Sequence, residues 1–339
     1  MYTSNNFYTD NDGHFAMILP KNKPFCILQL TDLHLGFGAL SYKADAMCMD
    51  AVSKVINKAK ADLIILTGDS IFPFLPKAGT LNNLKEARKL VSFMDSFKVP
   101  YALIFGNHDI EMGARGSKEQ VAQIFAQGKY SIFANEDANI YGFGNYIIKL
   151  LNENGGIVSA LVMLDSNMYG DGWFFSGFDC IHQDQINWCM DSLQELKKQN
   201  ENLKALSFFH MPIAEYKIAY EKMKLKDKSV IYNFGSIGEK NDYFGISKND
   251  CDFFAQAEKS GIIKAMFCGH DHLNTLSLTY RGIVLTYGMS MDCLGYKGIR
   301  TQYTQRGGTL VDIDLNGDFN ISPLPLTTVV STRVRGKTK

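Results

Sequence analysis

The chain has 339 residues, is 46% apolar and 12% aromatic, and carries 35 Lys+Arg against 35 Asp+Glu, for a formal net charge of zero. This is enough apolar material for a sizeable core, and the charge balance leaves no basic field of the kind that nucleic-acid binding needs. No stretch approaches the roughly 20 apolar residues of a membrane span, and the run 15–19 is too short for a signal-peptide core. Seven scattered cysteines without a C-x-x-C pair read as reduced thiols, so the expectation is a cytoplasmic protein without a membrane partner.

There is no internal repeat and no Pro/Gly/Ser linker, so a single domain is expected over 1–339, with its core at about 25–315. The basic tail 330–339, with Arg333, Arg335, Lys337 and Lys339, reads as a frayed terminus.

In chain order, the short apolar run 25–30 ends in a polar cluster and reads as a buried strand. Met47, Ala51, Val52, Val55, Ile56 and Ala59 recur at helical spacing, which predicts a core-facing helix over 44–60. A buried strand follows at 63–67, a helix at 81–97 and a strand at 101–105. Ser117 with Gln120 forms a capping-box pattern for a helix running to Gln127. The runs 146–151 and 157–164, joined by an Asn/Gly-rich turn, predict a hairpin. A helix over 183–198 and a strand over 205–209 come next, then a short helix over 214–223. A helix over 248–259 ends before Gly261, a suitable residue for the left-handed cap, and leads into a strand at 262–268. Hairpin-like runs at 276–285 and 309–315 complete the chain.

Strands alternating with helices give an α/β class. The most informative feature lies just past the strand ends. Five strands run directly into Asp32-Leu33-His34, Gly68-Asp69, Gly106-Asn107-His108-Asp109, His210, and Gly269-His270-Asp271-His272. Five of the seven histidines sit in these clusters. In open α/β sheets the carboxyl ends of strands form the rim where ligands bind. Gathering so many ionisable groups costs several kcal/mol for each unpaired charge, on the order given by transfer data. A bound cation removes that penalty, and carboxylate, imidazole and amide oxygen donors suit Mn, Fe or Zn.

This ordered set of clusters resembles the calcineurin-like metallophosphoesterases. The resemblance implies a four-layer α/β/β/α sandwich with two mixed β-sheets, and two divalent metal ions. By position, Asp32, His34, Asp69 and His272 hold one ion, and Asp69, Asn107, His210 and His270 hold the other, with Asp69 bridging. His108, next to a ligand but not itself one, is the general acid that meets the leaving alkoxide or faces the phosphoryl oxygen. Asp109 either orients a neighbour or caps the turn. The implied activity is hydrolysis of a phosphomonoester or small phosphodiester, with hydroxide bridging the metals as the attacking group and a small phosphate ester as the partner. Alternatives are a cyclic-nucleotide or glycerophosphodiester phosphodiesterase and, outside enzymes, a metal-stabilised interaction scaffold. The presence of His108 argues against the scaffold.

A narrower resemblance, carried by Leu164-Asp165-Ser166, His210-Met211-Pro212 and Gly269-His270-Asp271-His272-Leu273-Asn274, points to a branch related to the purple acid phosphatases, some labelled "probable inactive". Those enzymes place a ligating Tyr three residues after the bridging Asp. Here that residue is Phe72, so a divalent pair is expected and not a ferric-phenolate site.

The shape of the substrate pocket is left to loops 165–181, 211–247 and 288–308. Trp173-Phe174-Phe175, among Gly170, Gly172 and Gly177, either wall the site or pack the loop. Segment 211–247 is either a lid or a plain insertion. Arg115, Arg300 and Arg306 are candidates for gripping phosphate. His14 and His182 fall outside every cluster, and His182, at the start of a predicted helix, is expected to be a surface or capping residue and not a ligand.

Overall fold

The structure, a computed structural model, describes residues 7–10, 13–170, 177–247, 249, 251–296 and 298–329. Trp173, Phe174 and Phe175, Gly172, and the basic tail lie outside the described residues.

Two short strands open the chain, β1 (Phe7–Thr9) and β2 (Phe15–Ile18). An alternation continues through β3 (Phe25–Leu30), α1 (Tyr42–Ala59), β4 (Leu63–Thr67), α2 (Leu75–Ala78), α3 (Asn83–Asp95), β5 (Tyr101–Ile104), α4 (Lys118–Ala126) and β6 (Ser131–Ile132). The middle of the chain supplies β7 (Tyr146–Leu151), β8 (Ile157–Met163), α5 (Gln183–Lys197), β9 (Lys204–Phe208) and α6 (Ala214–Lys224). It continues with the edge strand β10 (Val230–Phe234), then α7 (Phe253–Ser260) and β11 (Ile263–Cys268). Two hairpins finish the fold, β12 (Ser277–Tyr280) with β13 (Ile283–Tyr287), and β14 (Gly307–Ile313) with β15 (Phe319–Pro325).

Among the described residues these strands form two mixed sheets. One runs β15-β14-β3-β4-β5-β6, with β3 to β6 parallel and β14 and β15 antiparallel at its edge. The other runs β1-β2-β7-β8-β9-β11-β13-β12-β10, with a parallel centre of β8, β9, β11 and β13. Side-chain alternation divides each central strand of this larger sheet between two cores. Leu161, Met163, Leu206, Phe208, Ala265 and Phe267 join the core that also contains β3, β4 and β5. Ala160, Val162, Ala205, Met266 and Cys268 face the opposite core, with α5, α6 and α7. Helices α1, α3 and α4 cover the smaller sheet. The result is the four-layer α/β/β/α sandwich. Phe208 and Phe267, stacked with ring centroids 4.6 Å apart, belong to the layer between the sheets.

The helices are consistent with their sequences. Ala44, Cys48, Ala51, Val52, Val55 and Ile56 are the buried face of α1. Met47, expected in that face, is 43% exposed, because the stripe repeats from Ala44 and Met47 falls beside it. The capping box of α4 is present, with the Gln120 N–H donating to Ser117 Oγ and the Ser117 N–H to Gln120 Oε1. Helix α7 ends at Gly261 in the left-handed conformation, as its sequence predicts, but begins at Phe253 and not at 248. Each fully buried Val, Leu or Ile in these faces contributes about 1.5–3 kcal/mol.

Among the described residues three strands, β1, β2 and β15, lie outside the span expected for the core. The run 15–19 pairs as β2 with β7, and β15 extends the smaller sheet past residue 315. Segment 211–247 is built into the fold as α6 and β10, the latter closing one edge of the larger sheet against β12.

One buried group sets a pH dependence for the fold. Glu86 on α3 is 1% exposed, and neither carboxylate oxygen has a hydrogen-bond partner. Burial, then Asp45 and Asp109 nearby, push its carboxyl from an ordinary 4.5 up to about 9. The unfolded chain releases that proton near 4.5 and the folded chain keeps it to about 9, so stability falls as pH rises through this window. Glu86→Gln keeps the shape and removes the titration. Its thermal midpoint is expected to exceed that of wild type by a margin that widens from pH 5 to pH 8. Melting curves at both pH values test this, and a margin of equal size at both would show that Glu86 is ionised in the folded state.

Candidate metal centre

The five clusters lie at the carboxyl ends of β3, β4, β5, β9 and β11, three from the smaller sheet and two from the larger. Backbone and side-chain bonds tie these loops to one another, within the smaller sheet and across to the larger one. The Asp32 N–H donates to Gly68 O at 3.1 Å and the His34 N–H to Asp69 O at 2.9 Å. The His270 N–H, from the other sheet, donates to the Asp32 carboxylate at 3.1 Å. Buried Gln29 spans the interlayer, its amide donating to Thr67 Oγ1 and to Cys268 O, both at 3.0 Å.

The structure brings all seven nominated ligand residues together. Ligand atoms of Asp32, His34, Asp69 and His272 lie within 4.8 Å of one another, as do those of Asp69, His210 and His270. Asn107 completes the second group, with Oδ1 3.1 Å from His210 Nε2. Asp69 belongs to both. Its Oδ2 lies 3.4 Å from His34 Nε2 and 3.2 Å from His210 Nε2. All seven residues are buried, His270 being the most exposed at 9%.

The local backbone is unusual. Asp32, His34, Asp69 and His270 have φ of 52°, 47°, 49° and 74°, in the left-handed region that costs a non-glycine residue about 1–3 kcal/mol. The glycines of the motifs allow close approach. A Cβ on Gly106 would lie 2.2 Å from Asp69 Oδ1, and one on Gly68 would lie 2.5 Å from His210 Nδ1. Those two positions therefore require glycine.

Buried atoms without partners are the test of whether these residues fit a cation. Both ring nitrogens of His34 and Asp69 Oδ2 are buried with no hydrogen-bond partner. Such orphaned groups cost about 1–3 kcal/mol each. A cation at each cluster satisfies Asp69 Oδ2 and the His34 Nε2 that faces it, and the donor set suits Mn, Fe or Zn. The electrostatics agree. Burial holds His34 and His270, one from each group, below the usual imidazole range, in the neutral form a ligand needs. Burial opposes charge on His210 and His272 as well. Asp69 facing the first carries it up to about 10, and Asp32 with Asp292 carries the second up to about 9. Asp69 is held well below the usual carboxylate range: burial opposes this, and His210 and His108 outweigh it.

The surroundings fix the orientation of the rings. His210 Nδ1 donates to Thr67 O at 2.8 Å, which turns Nε2 toward Asp69. His272 Nδ1 pairs with Asp292 Oδ2 at 2.9 Å. Such outer partners orient metal-ligating imidazoles and raise their basicity. Asp292 also takes the N–H groups of Leu294 and Gly295 at 2.6 Å, anchoring loop 288–308. Sequence reading missed it because it belongs to no motif.

Neither His108 nor Asp109 belongs to the two ligand groups. The His108 N–H donates to Asp69 Oδ1 at 2.7 Å, and its ring Nδ1 pairs with Glu111, a partner the sequence did not nominate. Burial opposes charge on His108, but Asp69 and Glu111 raise it above the ordinary imidazole value. Asp109 takes the N–H groups of Gly106 at 2.8 Å, Ile71 at 2.9 Å and Asp69 at 3.1 Å. It ties the β4 and β5 loops together.

Several expectations are corrected here. None of the three arginines lines the cavity over the centre. Arg306 is buried and donates to Met291 O and Cys293 Sγ, Arg300 donates to Cys293 O, and Arg115 is exposed. That cavity takes Met168, Tyr169, Gly295 and Tyr296 from two of the three expected loops, and nothing from 211–247. The other walls come from 72–77 and 108–112, where the sequence singled out Phe72 and His108 but not Phe74, Lys77, Ile110, Glu111 or Met112. His182 is the N-cap of α5, and His14 pairs with Glu136 at 2.9 Å.

A family profile described as calcineurin-like phosphoesterase matches residues 26–274, which contain all five clusters. The Arabidopsis thaliana protein "Probable inactive purple acid phosphatase 29" is 27% identical over 325 residues, spanning 87% of this chain and 78% of that protein. The Saccharomyces cerevisiae protein "Phosphatase DCR2" is 29% identical over 292 residues, spanning 78% of this chain and 47% of the yeast protein. Among solved structures, a dimetal phosphatase from Danio rerio superposes with a TM-score of 0.56 at 11% identity, covering 90% of this chain and 97% of its own, a likeness of fold. Among the described residues, no helix is long and apolar enough to cross a membrane. Fold, clustered ligands and the extent of the profile match agree: the chain belongs to the calcineurin-like phosphoesterase family, on a branch related to the purple acid phosphatases.

Proposed function

We propose that the chain hydrolyses a phosphomonoester or small phosphodiester with two divalent ions, one held by Asp32, His34, Asp69 and His272 and the other by Asp69, Asn107, His210 and His270. The observation that carries this reading is the double membership of buried Asp69, shared by two groups of neutral or neutralisable donors. When bound, the two ions supply Lewis acidity that acidifies water and offsets phosphoryl charge.

The remaining steps belong to protein groups. Nδ1 of His108 is engaged by Glu111, so Nε2 is the nitrogen left to give a proton toward the cavity that this ring lines. As water bonds to phosphorus and the ester P–O bond breaks, that proton passes to the departing oxygen, and alcohol and phosphate leave. Asp109 acts as a positioning residue through the Asp69, Gly106 and Ile71 amides.

A second reading, a metal-stabilised interaction scaffold, takes its motive from the "probable inactive" name of relatives. The His108–Glu111 pair favours hydrolysis, because a scaffold has no use for a proton donor held beside its metals. The phosphodiesterase alternatives share this machinery, and rates on matched mono-aryl and bis-aryl phosphates separate them.

Asp69→Ala is expected to be the most damaging single ligand change, taking metal content from close to two ions per chain to below one. Elemental analysis of each ligand variant, loaded in parallel, checks this; a variant that keeps one ion tightly would show that Asp69 does not bridge. His108→Ala is expected to lose about 10²–10⁴-fold in kcat on an alkyl phosphate, the usual worth of general acid catalysis. The loss should be visibly smaller on a nitrophenyl ester, which departs without a proton, with metal content retained. Equal losses on both esters would assign His108 to the phosphoryl oxygens.

A further inference from the structure

A cavity of about 650 Å³ opens above the candidate metal centre. Its floor is His34, His108 and His272, and its walls are mostly hydrocarbon. Phe72, Phe74, Ile110, Met112, Met168 and Tyr296 supply them. The walls continue from the site itself. Phe72 sets its edge against His34 at 4.7 Å and His108 at 5.1 Å, and its ring leads on to Phe74 at 5.5 Å. On the other side Tyr296 stacks on His272 at 4.2 Å, nearly coplanar at 13°. Any group projecting outward from a phosphoryl on the histidine floor therefore meets aromatic and thioether surface first.

The charged side chains of the walls, Lys77 and Glu111, each already have one partner. Lys77 donates to Gly295 O, with its ammonium over the Phe72 ring, and Glu111 pairs with His108. No guanidinium lines it among the described residues. A second phosphate, a carboxylate or a polyol would meet few polar groups here beside the Lys77 ammonium, and a desolvated polar group without a partner is penalised. Met112, 85% exposed, is an apolar side chain left uncovered at this wall.

We infer that this cavity is a leaving-group site for an apolar, ring-bearing alcohol, so that the substrate is a phosphate ester of such an alcohol and not a sugar, glycerol or nucleotide phosphate. The inference rests on the phosphoesterase reading for the position of the phosphoryl group, and binding tests it apart from turnover. The ring displaces water from Phe74, Met112 and Tyr296, and the specificity comes from the hydrocarbon contact together with the scarcity of polar partners in these walls.

The experiment uses the metal-loaded chain and two non-hydrolysable phosphonates, 3-phenylpropylphosphonate and 3,4-dihydroxybutylphosphonate, with Kd measured by calorimetry. Turnover of 2-phenylethyl phosphate and glycerol 1-phosphate, whose alcohols are of similar acidity, is measured in parallel. The phenyl phosphonate is expected to bind about 10–100-fold tighter, the order of factor that burying a side-chain-sized apolar group confers. Phe74→Ser and Met112→Ser should each shrink that ratio several-fold. Met112 is exposed, so its variant keeps the test informative if Phe74→Ser misfolds. Equal affinities, a preference for the diol, failure of either phosphonate to bind, or an unchanged ratio in a folded Met112→Ser would each overturn the inference. Tighter phenyl binding with no turnover of either ester would support the pocket and sink the hydrolase reading instead.

Discussion

The arrangement of the site depends on one buried carboxylate. Asp69 comes directly after β4 and reaches, in a single side chain, the ring nitrogens of both ligand groups and the backbone N–H of His108. Its own backbone N–H is held by Asp109, and its φ of 49° is one that few non-glycine residues adopt. Once that carboxylate is fixed, Gly68 and Gly106 have no room for a side chain, and β4, β5 and β9 must end in register around it. An uncompensated charge at such depth would be costly, so the surrounding imidazoles are as necessary to the fold as to any chemistry.

Phe72 illustrates how one residue changes two properties at once. Where purple enzymes have a phenolate ligand, this chain has a hydrocarbon ring in edge contact with His34 and His108. Neither Tyr287 nor Tyr243 substitutes for it. Tyr287 donates its hydroxyl to Asp271, and Tyr243 is half exposed. The Tyr169 hydroxyl does approach the centre, accepting from the Asn107 amide at 3.3 Å, which fixes how that amide presents its oxygen. Losing the phenolate narrows the donors to nitrogen, carboxylate and amide, and gives the mouth of the site an apolar lining.

The parts of this molecule readable from sequence are those where local pattern and chemistry coincide. Buried strands ending in Asp, His or Asn are short, distinct signals, and the spacing of each cluster survives folding because a strand end leads directly into it. Asp292, Glu111, Phe74 and Met112 carried no such signal. Asp292 matters because loop 288–308 returns across the sheets and meets His272, a contact set by tertiary structure alone. The arginines misled for the complementary reason: guanidinium chemistry suits phosphate, but Arg306 is buried with its Nη2 holding the Met291 and Cys293 loop. Edge strand β10 was hidden because its residues are mostly exposed and lack alternation.

The choice between enzyme and scaffold turns on what stability alone would select. Four ligand residues sit in the left-handed region, and His34 and Asp69 keep buried atoms without partners. Metal binding offsets the orphaned donors, so a scaffold and an enzyme explain those equally well. The His108–Glu111 pair differs. His108 is no ligand in the proposed scheme, and its backbone N–H already serves Asp69 whatever the side chain. A scaffold would tolerate almost any residue there. The imidazole, paired with a carboxylate and lining the cavity above the site, is outside both ligand groups and, in the proposed scheme, is the proton donor for the departing oxygen. That asymmetry, an imidazole outside both ligand groups yet lining the cavity, is the feature a purely structural metal site leaves unexplained.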